Sequence, residues 1–213
     1  MKFRKLVEEI KAPEGKGIII FDIDDTLVRA QDIYIYKQKD GKDVKKLTPE
    51  EYGKEDVKTE KEKGFTYDYR DFDNPNKLYT SIIKGIPLIK NLNMLDAHLR
   101  AGWDVGFLTA RGGEQSNKKA IEEWLLYKNE KGELTSIPKE RMKYFIAIND
   151  PKRKKEIKDM IKSGGGDYDV KGIFLDEIKK KYDRVKFVDD DMKNVVSARK
   201  VLPKKDVIRA KKN

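Results

Sequence analysis

Apolar residues in this chain fall into two kinds of run. In the first they are bunched: Ile18-Ile19-Ile20-Phe21 without a break, and Trp103 to Leu108, Met142 to Ile148 and Val185-Lys186-Phe187-Val188 with only single polar residues or glycine between them, with Val207-Ile208 as a shorter fifth example. Short runs of this kind, ending abruptly in polar residues, predict strands buried on both faces, as in parallel sheets. In the second kind the apolar positions recur at helical spacing. Leu88, Leu92, Leu95 and Leu99 predict a helix over Pro87 to Arg100, stopped by Gly102. Ala120, Ile121, Trp124 and Leu125 predict another, capped by Ser116 or Asn117, and a basic helix is expected over Pro151 to Lys162. Lys128 to Pro138 reads as a polar connection, and Phe3 to Lys11 as a short amphipathic helix broken by Pro13-Glu14-Gly15. Strand and helix signals alternate, so the expected fold class is α/β, a three-layer Rossmann-like core around a central parallel sheet.

Residues 28–83 interrupt that alternation. Ile33 to Tyr36 and Val44 to Leu47 flank Asp40-Gly41, a hairpin-turn signal. Thr48-Pro49-Glu50-Glu51 has the form of a capped helix start. Lys54 to Lys63 is a mixed-charge run that predicts a solvated helix face or loop. Phe65, Tyr67, Tyr69 and Phe72 suit a strand that packs a small cap, with base stacking as the alternative use of such rings. The organisation read from this is a core of 1–27 and 84–213 with an insertion at 28–83 that holds a solvated hairpin and a small cap.

The strand ends carry the candidate chemistry. The first strand runs into Asp22-Ile23-Asp24-Asp25-Thr26 and the fourth into Asp189-Asp190-Asp191. Acids crowded at a strand end repel one another, so a fold that keeps them there calls for a cation. In extended backbone Asp22 and Asp24 point the same way and reach one metal and one substrate. In a parallel sheet both clusters lie on one edge, where ligands bind near a reversal of strand order. The second strand ends in Thr109-Ala110-Arg111-Gly112-Gly113, whose hydroxyl, turn amides and guanidinium suit phosphate oxygens. His98, the only histidine, has no partner histidine for a metal site.

Asp-x-Asp-x-Thr after an apolar strand resembles the first motif of the haloacid dehalogenase (HAD) superfamily, and Thr109 matches that superfamily's second-strand Thr or Ser. With Arg111, the sequence is similar to the 3′-phosphatase domains of bacteriophage polynucleotide kinases. The segment Val170-Lys171-Gly172-Ile173-Phe174-Leu175 resembles the part of those domains that holds the third-motif Lys, which selects Lys171 over Lys155 and Lys158. The resemblance implies a Mg²⁺-dependent phosphatase in which the 28–83 insertion, placed directly after the first strand, is a flap and small cap over the site. Asp22 would attack phosphorus, Asp24 would act as acid and then base, and Lys171 would hold the phosphorylated aspartate. It further implies Asp190 as a direct metal ligand with Asp189 behind it, and Asn194 as a polar position of the fourth motif. Asp22, Asp24, Asp189 and Asp190 are thus the expected metal residues. Asp191 stands where the kinase-linked domains have a basic residue.

Composition narrows the partners. Charged residues make up 40% of the chain and the formal net charge is +10, which favours a polyanionic partner. With this charge agreeing, the resemblance to 3′-phosphatase domains and the open site that a small cap leaves make the expected substrate a 3′-phosphate at a nucleic-acid end, or a nucleotide phosphate. The basic run at Lys152 to Lys155 is usually a solvated face, though near a phosphate site it would steer anions. No Gly-x-x-x-x-Gly-Lys-Ser/Thr segment occurs, so end repair would need a separate kinase or ligase partner. Cysteine is absent, which excludes disulfides and thiol nucleophiles. No apolar run approaches membrane-spanning length and Met1 to Lys16 has no secretory hydrophobic stretch, so the expected location is cytoplasmic. Two rival readings are a phosphatase for proteins or metabolites and an inactive basic nucleic-acid-binding protein.

Overall fold

The computed structural model describes residues 17–128, 134–162 and 169–211. The helix expected over Phe3 to Lys11, the Gly164-Gly165-Gly166 break and the end of the basic tail lie outside these residues. Strand β1 (Ile18–Phe21) is the IIIF run, and none of its four side chains reaches solvent. After β2 (Val28–Arg29) the chain forms the expected hairpin, β3 (Ile35–Lys39) and β4 (Lys42–Leu47). Its turn residues Asp40 and Gly41 have φ of 51° and 73°, the left-handed conformations that a two-residue hairpin loop requires. Helix α1 (Pro49–Gly53) starts with a capping box, in which Thr48 accepts from the Glu51 amide and Glu51 from the Thr48 amide.

The mixed-charge run contains α2 (Val57–Glu62) and is not wholly solvated, because Glu55 and Glu60 pair with the buried Lys37 at 2.7 and 2.5 Å. Strand β5 (Phe65–Asp68) folds back on β3, completing a sheet of order β4-β3-β5. Helix α3 (Pro75–Ile83) is an element the apolar spacing did not predict; Asn74 caps it and Pro75 occupies its first turn. Strand β6 (Ile86–Pro87) then pairs with β2 and returns the chain to the main sheet.

The remaining elements are α4 (Ile89–Arg100), β7 (Asp104–Thr109), α5 (Glu114–Trp124), β8 (Leu126–Lys128), β9 (Leu134–Ser136), β10 (Met142–Ala147), α6 (Lys154–Lys162), α7 (Val170–Lys179), β11 (Val185–Asp189), α8 (Met192–Val201) and β12 (Val207–Arg209). Two expectations change here. The stretch expected as a polar connection, Lys128 to Pro138, contains β9, which pairs antiparallel with β8 at its start. Helix α5 starts two residues before the expected cap, at Glu114, and its first amide is accepted by Asp150 Oδ2 at 2.7 Å. Asn117 is consequently an interior helical residue and fully buried.

The central sheet has the order β10-β7-β1-β11-β12, with every neighbouring pair parallel. The chain winds outward on one side, then returns to wind outward on the other, and strand order reverses between β1 and β11. Alternation along β1 divides the core between two layers. Ile19 and Phe21 pack with Leu95 and Leu99 of α4 and Ile121 of α5, while Ile18 and Ile20 pack with Phe174 and Leu175 of α7 and Val195 of α8. Each such side chain contributes about 1.5–3 kcal/mol relative to exposure. Helices on both faces of a parallel sheet explain why its strands read as largely apolar runs and do not alternate strictly. Among the described residues, no helix is long and apolar enough to cross a membrane.

Candidate functional site

Strand register brings the two acidic clusters together. Phe21 pairs with Val188, and the Asp22 amide still donates to the Val188 carbonyl at 2.9 Å. Asp22 and Asp189 therefore lie one step further along, side by side at the reversal of strand order. Because Phe21 and Val188 belong to the α4–α5 layer, alternation turns both carboxylates toward α7. Asp169 caps α7 by accepting from the Gly172 amide at 2.8 Å, which sets Lys171 in the first turn. Lys171 Nζ donates to Asp22 Oδ1 at 2.8 Å and to Asp189 Oδ2 at 2.7 Å, and all three side chains are buried.

Further contacts fix each acid. Asn194 Nδ2 donates to both oxygens of Asp189 at 3.1 and 3.0 Å, and the Asp191 amide donates to Asp189 Oδ1 at 2.8 Å. The Asp190 amide donates to Thr26 Oγ1 at 3.1 Å, and that hydroxyl donates to Asp190 Oδ1 at 3.4 Å. Thr26 is buried, with its carbonyl accepting from Asn91 Nδ2 at 2.7 Å. Asp22, Asp189 and Asp190 each present an oxygen, and the three oxygens lie within 4.8 Å of one another. Two carboxylates thus face one ammonium, with a third beside them. Burial holds the Asp22 carboxyl well above the usual carboxylate range; Lys171 opposes this, and Asp189 and Asp24 add to it. Burial works against the charge on Lys171, but Asp22 and Asp189 outweigh it and raise its affinity for the proton.

Asp24 takes a different path. The strand has ended, Asp25 turns the chain at φ 52°, and the Asp24 carboxylate meets Arg111 instead of the other three acids. Arg111 Nε and one terminal nitrogen grip both Asp24 oxygens at 2.7 Å, a bidentate pair. Its other terminal nitrogen donates to the Leu78 carbonyl at 3.1 Å and to Ser81 Oγ and Asn117 Oδ1, both at 3.0 Å. Arg111 is only 2% exposed, so it is a buried tie between α3, α5 and Asp24 and not a surface cation. Thr109 lies at the end of β7 on the same sheet edge. It is buried, and its hydroxyl oxygen accepts from the Arg111 amide at 3.3 Å.

All the residues singled out from sequence therefore occupy one edge of the sheet, in two groups. Asp22, Lys171, Asp189, Asp190 and Asn194 form the first, and Asp24, Thr109 and Arg111 the second. Arg153, in the basic run, instead pairs with Glu114 and Glu156, while Lys152 and Lys155 are exposed. Sequence reasoning missed the partners that hold the groups in place: Asn91, Ser81 and Asn117. Thr26 carried a signal, as the last residue of the first motif, and Asn117 a misleading one, as a candidate helix cap; Asn91 and Ser81 had none beyond being polar. No protein-family model matches the chain, and no curated protein matches its sequence.

Proposed function

We propose that the protein is a Mg²⁺-dependent phosphomonoester hydrolase working through an aspartyl-phosphate intermediate. The observation that carries this reading is a single buried lysine bonded to Asp22 and Asp189 beside a third carboxylate, at the reversal of strand order. The sequence resemblance to HAD phosphatases supports it independently, and in that reading 28–83 acts as a small cap over the site. Asp22, Asp189 and Asp190 suit a hard divalent cation: each offers a carboxylate oxygen, and the three oxygens lie close enough together to share one ion. Bound there, the cation would neutralise charge on the phosphoryl oxygens.

The protein's own groups then do the following. A carboxylate oxygen of Asp22 forms a bond to phosphorus as the bond from phosphorus to the leaving oxygen breaks, and Asp24 gives that oxygen a proton. Asp24 then takes a proton from water, whose oxygen attacks phosphorus, releasing phosphate and restoring Asp22. A carboxylate accepts about four hydrogen bonds and Arg111 takes two of them, so Asp24 stays oriented while retaining a site for the proton. Lys171 keeps Asp22 in line and balances its charge. The resemblance taken alone favours a nucleic-acid 3′-phosphate, with a nucleotide phosphate as the alternative that the site's own walls can decide.

The test is Mg²⁺-dependent release of phosphate from p-nitrophenyl phosphate. Replacing Asp22 with Asn is expected to lower turnover on the order of 10³-fold or more, with the circular dichroism spectrum unchanged. Turnover retained in Asp22→Asn would overturn the covalent mechanism. Salt-sensitive DNA binding with no Mg²⁺-dependent release would favour a binding protein instead.

A further inference from the structure

A cavity of about 390 Å³ opens beside Asp24 and Arg111, between the end of β7 and the 28–83 segment. Its walls include Ile35, Pro49, Tyr52, Tyr69 and Phe72. Tyr52 and Tyr69 meet edge to face, with ring centres 5.8 Å apart, and their hydroxyls bond to each other at 2.5 Å. Those phenols therefore satisfy one another, and what they offer a ligand is ring surface. The polar side chains on the same walls are weighted to acceptors: the exposed Asp73 and Asn149, whose Nδ2 donates to the Ala110 carbonyl.

Charge decides between two kinds of occupant. Among the residues that line the cavity, Arg111 is the one cation, and every nitrogen of it is engaged by Asp24, Leu78, Ser81 or Asn117. A polynucleotide end brings further phosphates, which proteins neutralise with Lys and Arg. Here the walls instead carry Asp24 and Asp73. The volume lies at the low end of the range of about 300–1,000 Å³ for small-molecule sites. The geometry points to a leaving-group pocket for one ring system: the substrate is a nucleoside monophosphate, its base stacked among Tyr52, Tyr69 and Phe72, and not the 3′ end of a nucleic acid. This inference rests on the phosphatase reading, in which Asp24 protonates the oxygen that leaves toward the cavity.

The test compares substrates whose leaving oxygens are chemically alike. With the full chain and Mg²⁺, kcat/KM is measured for adenosine 3′- and 5′-monophosphate, ribose 5-phosphate and a 3′-phosphorylated oligonucleotide. The better adenosine phosphate is expected to exceed ribose 5-phosphate by about tenfold, the scale of one base stacked on aromatic rings. Tyr69→Ala, which truncates an exposed ring, and separately Phe72→Leu, which keeps bulk without a ring, are expected to bring that ratio toward one. Equal use of ribose 5-phosphate, or faster hydrolysis of the oligonucleotide, would overturn the inference. Calorimetry with adenosine separates it from the phosphatase reading. Adenosine binding that Tyr69→Ala weakens, without turnover of any ester, would uphold the pocket and refute the hydrolase. Turnover indifferent to the base would do the reverse.

Discussion

His98 is held between Trp103, whose ring meets it edge-on at 5.1 Å, and the ammonium of Lys186, 3.2 Å from Nε2. An ammonium only donates, so Nε2 accepts and the imidazole proton sits on Nδ1, which donates to the Met94 carbonyl at 2.7 Å. Burial pushes this imidazole down to about 4; the Met94 bond opposes that, and the charges of Lys186 and Arg184 reinforce it. In the unfolded chain a histidine titrates near 6.5. Between those values the unfolded state takes up a proton that the folded state refuses, so stability falls as pH falls through that window. Urea denaturation at pH 7.5 and pH 5 is expected to show a loss of about 1–2 kcal/mol in the wild type beyond that in His98→Asn. Equal losses would reject it. Sequence excluded a histidine metal site for want of a second histidine, but the neutral tautomer depends on Lys186, which is remote in the chain and unreadable from composition.

At the scale of elements, α5 shows where local signals stop working. Gly113 precedes it at φ 58°, a conformation that favours glycine, and an added Cβ there would lie 2.6 Å from Leu78 Cδ1. With no side chain of its own to cap it, the helix relies on Asp150, whose other oxygen accepts from the Lys152 amide at 2.9 Å. Asp150→Ala is expected to cost about 1 kcal/mol, read as a lower urea midpoint at unchanged slope; an unchanged midpoint would mean that water caps the helix equally well. The hairpin at Asp40-Gly41 and the box at Thr48 were legible because their determinants lie within four residues of one another. The start of α5 was not, because its cap comes from a loop 36 residues away. Helix α3 had a local sign in Asn74-Pro75, yet its purpose did not: Leu78 and Ser81 matter through Arg111, which is about thirty residues distant.

Over the whole molecule, the two larger sheets differ in what protects them. Strand β1 is buried along its full length between two helical layers, whereas five of the six residues of β4 are exposed. Amides of β1 are expected to exchange with solvent at least about 100-fold more slowly than those of β4, measured by hydrogen exchange; similar rates would contradict a sheet order that buries β1 at the centre. The parallel sheet was readable from short, largely apolar runs, but its order was not, since register and neighbours depend on contacts across the chain. The bonds of Arg111 bear on how a ligand gets in. Swinging α3 aside would strip a buried guanidinium of its contacts to Leu78 and Ser81 and unsettle its grip on Asp24, a penalty of several kcal/mol for exposing one charge's partners. In the proposed reaction, therefore, α3 is the fixed edge of the inserted segment, riveted to Asp24 through Arg111.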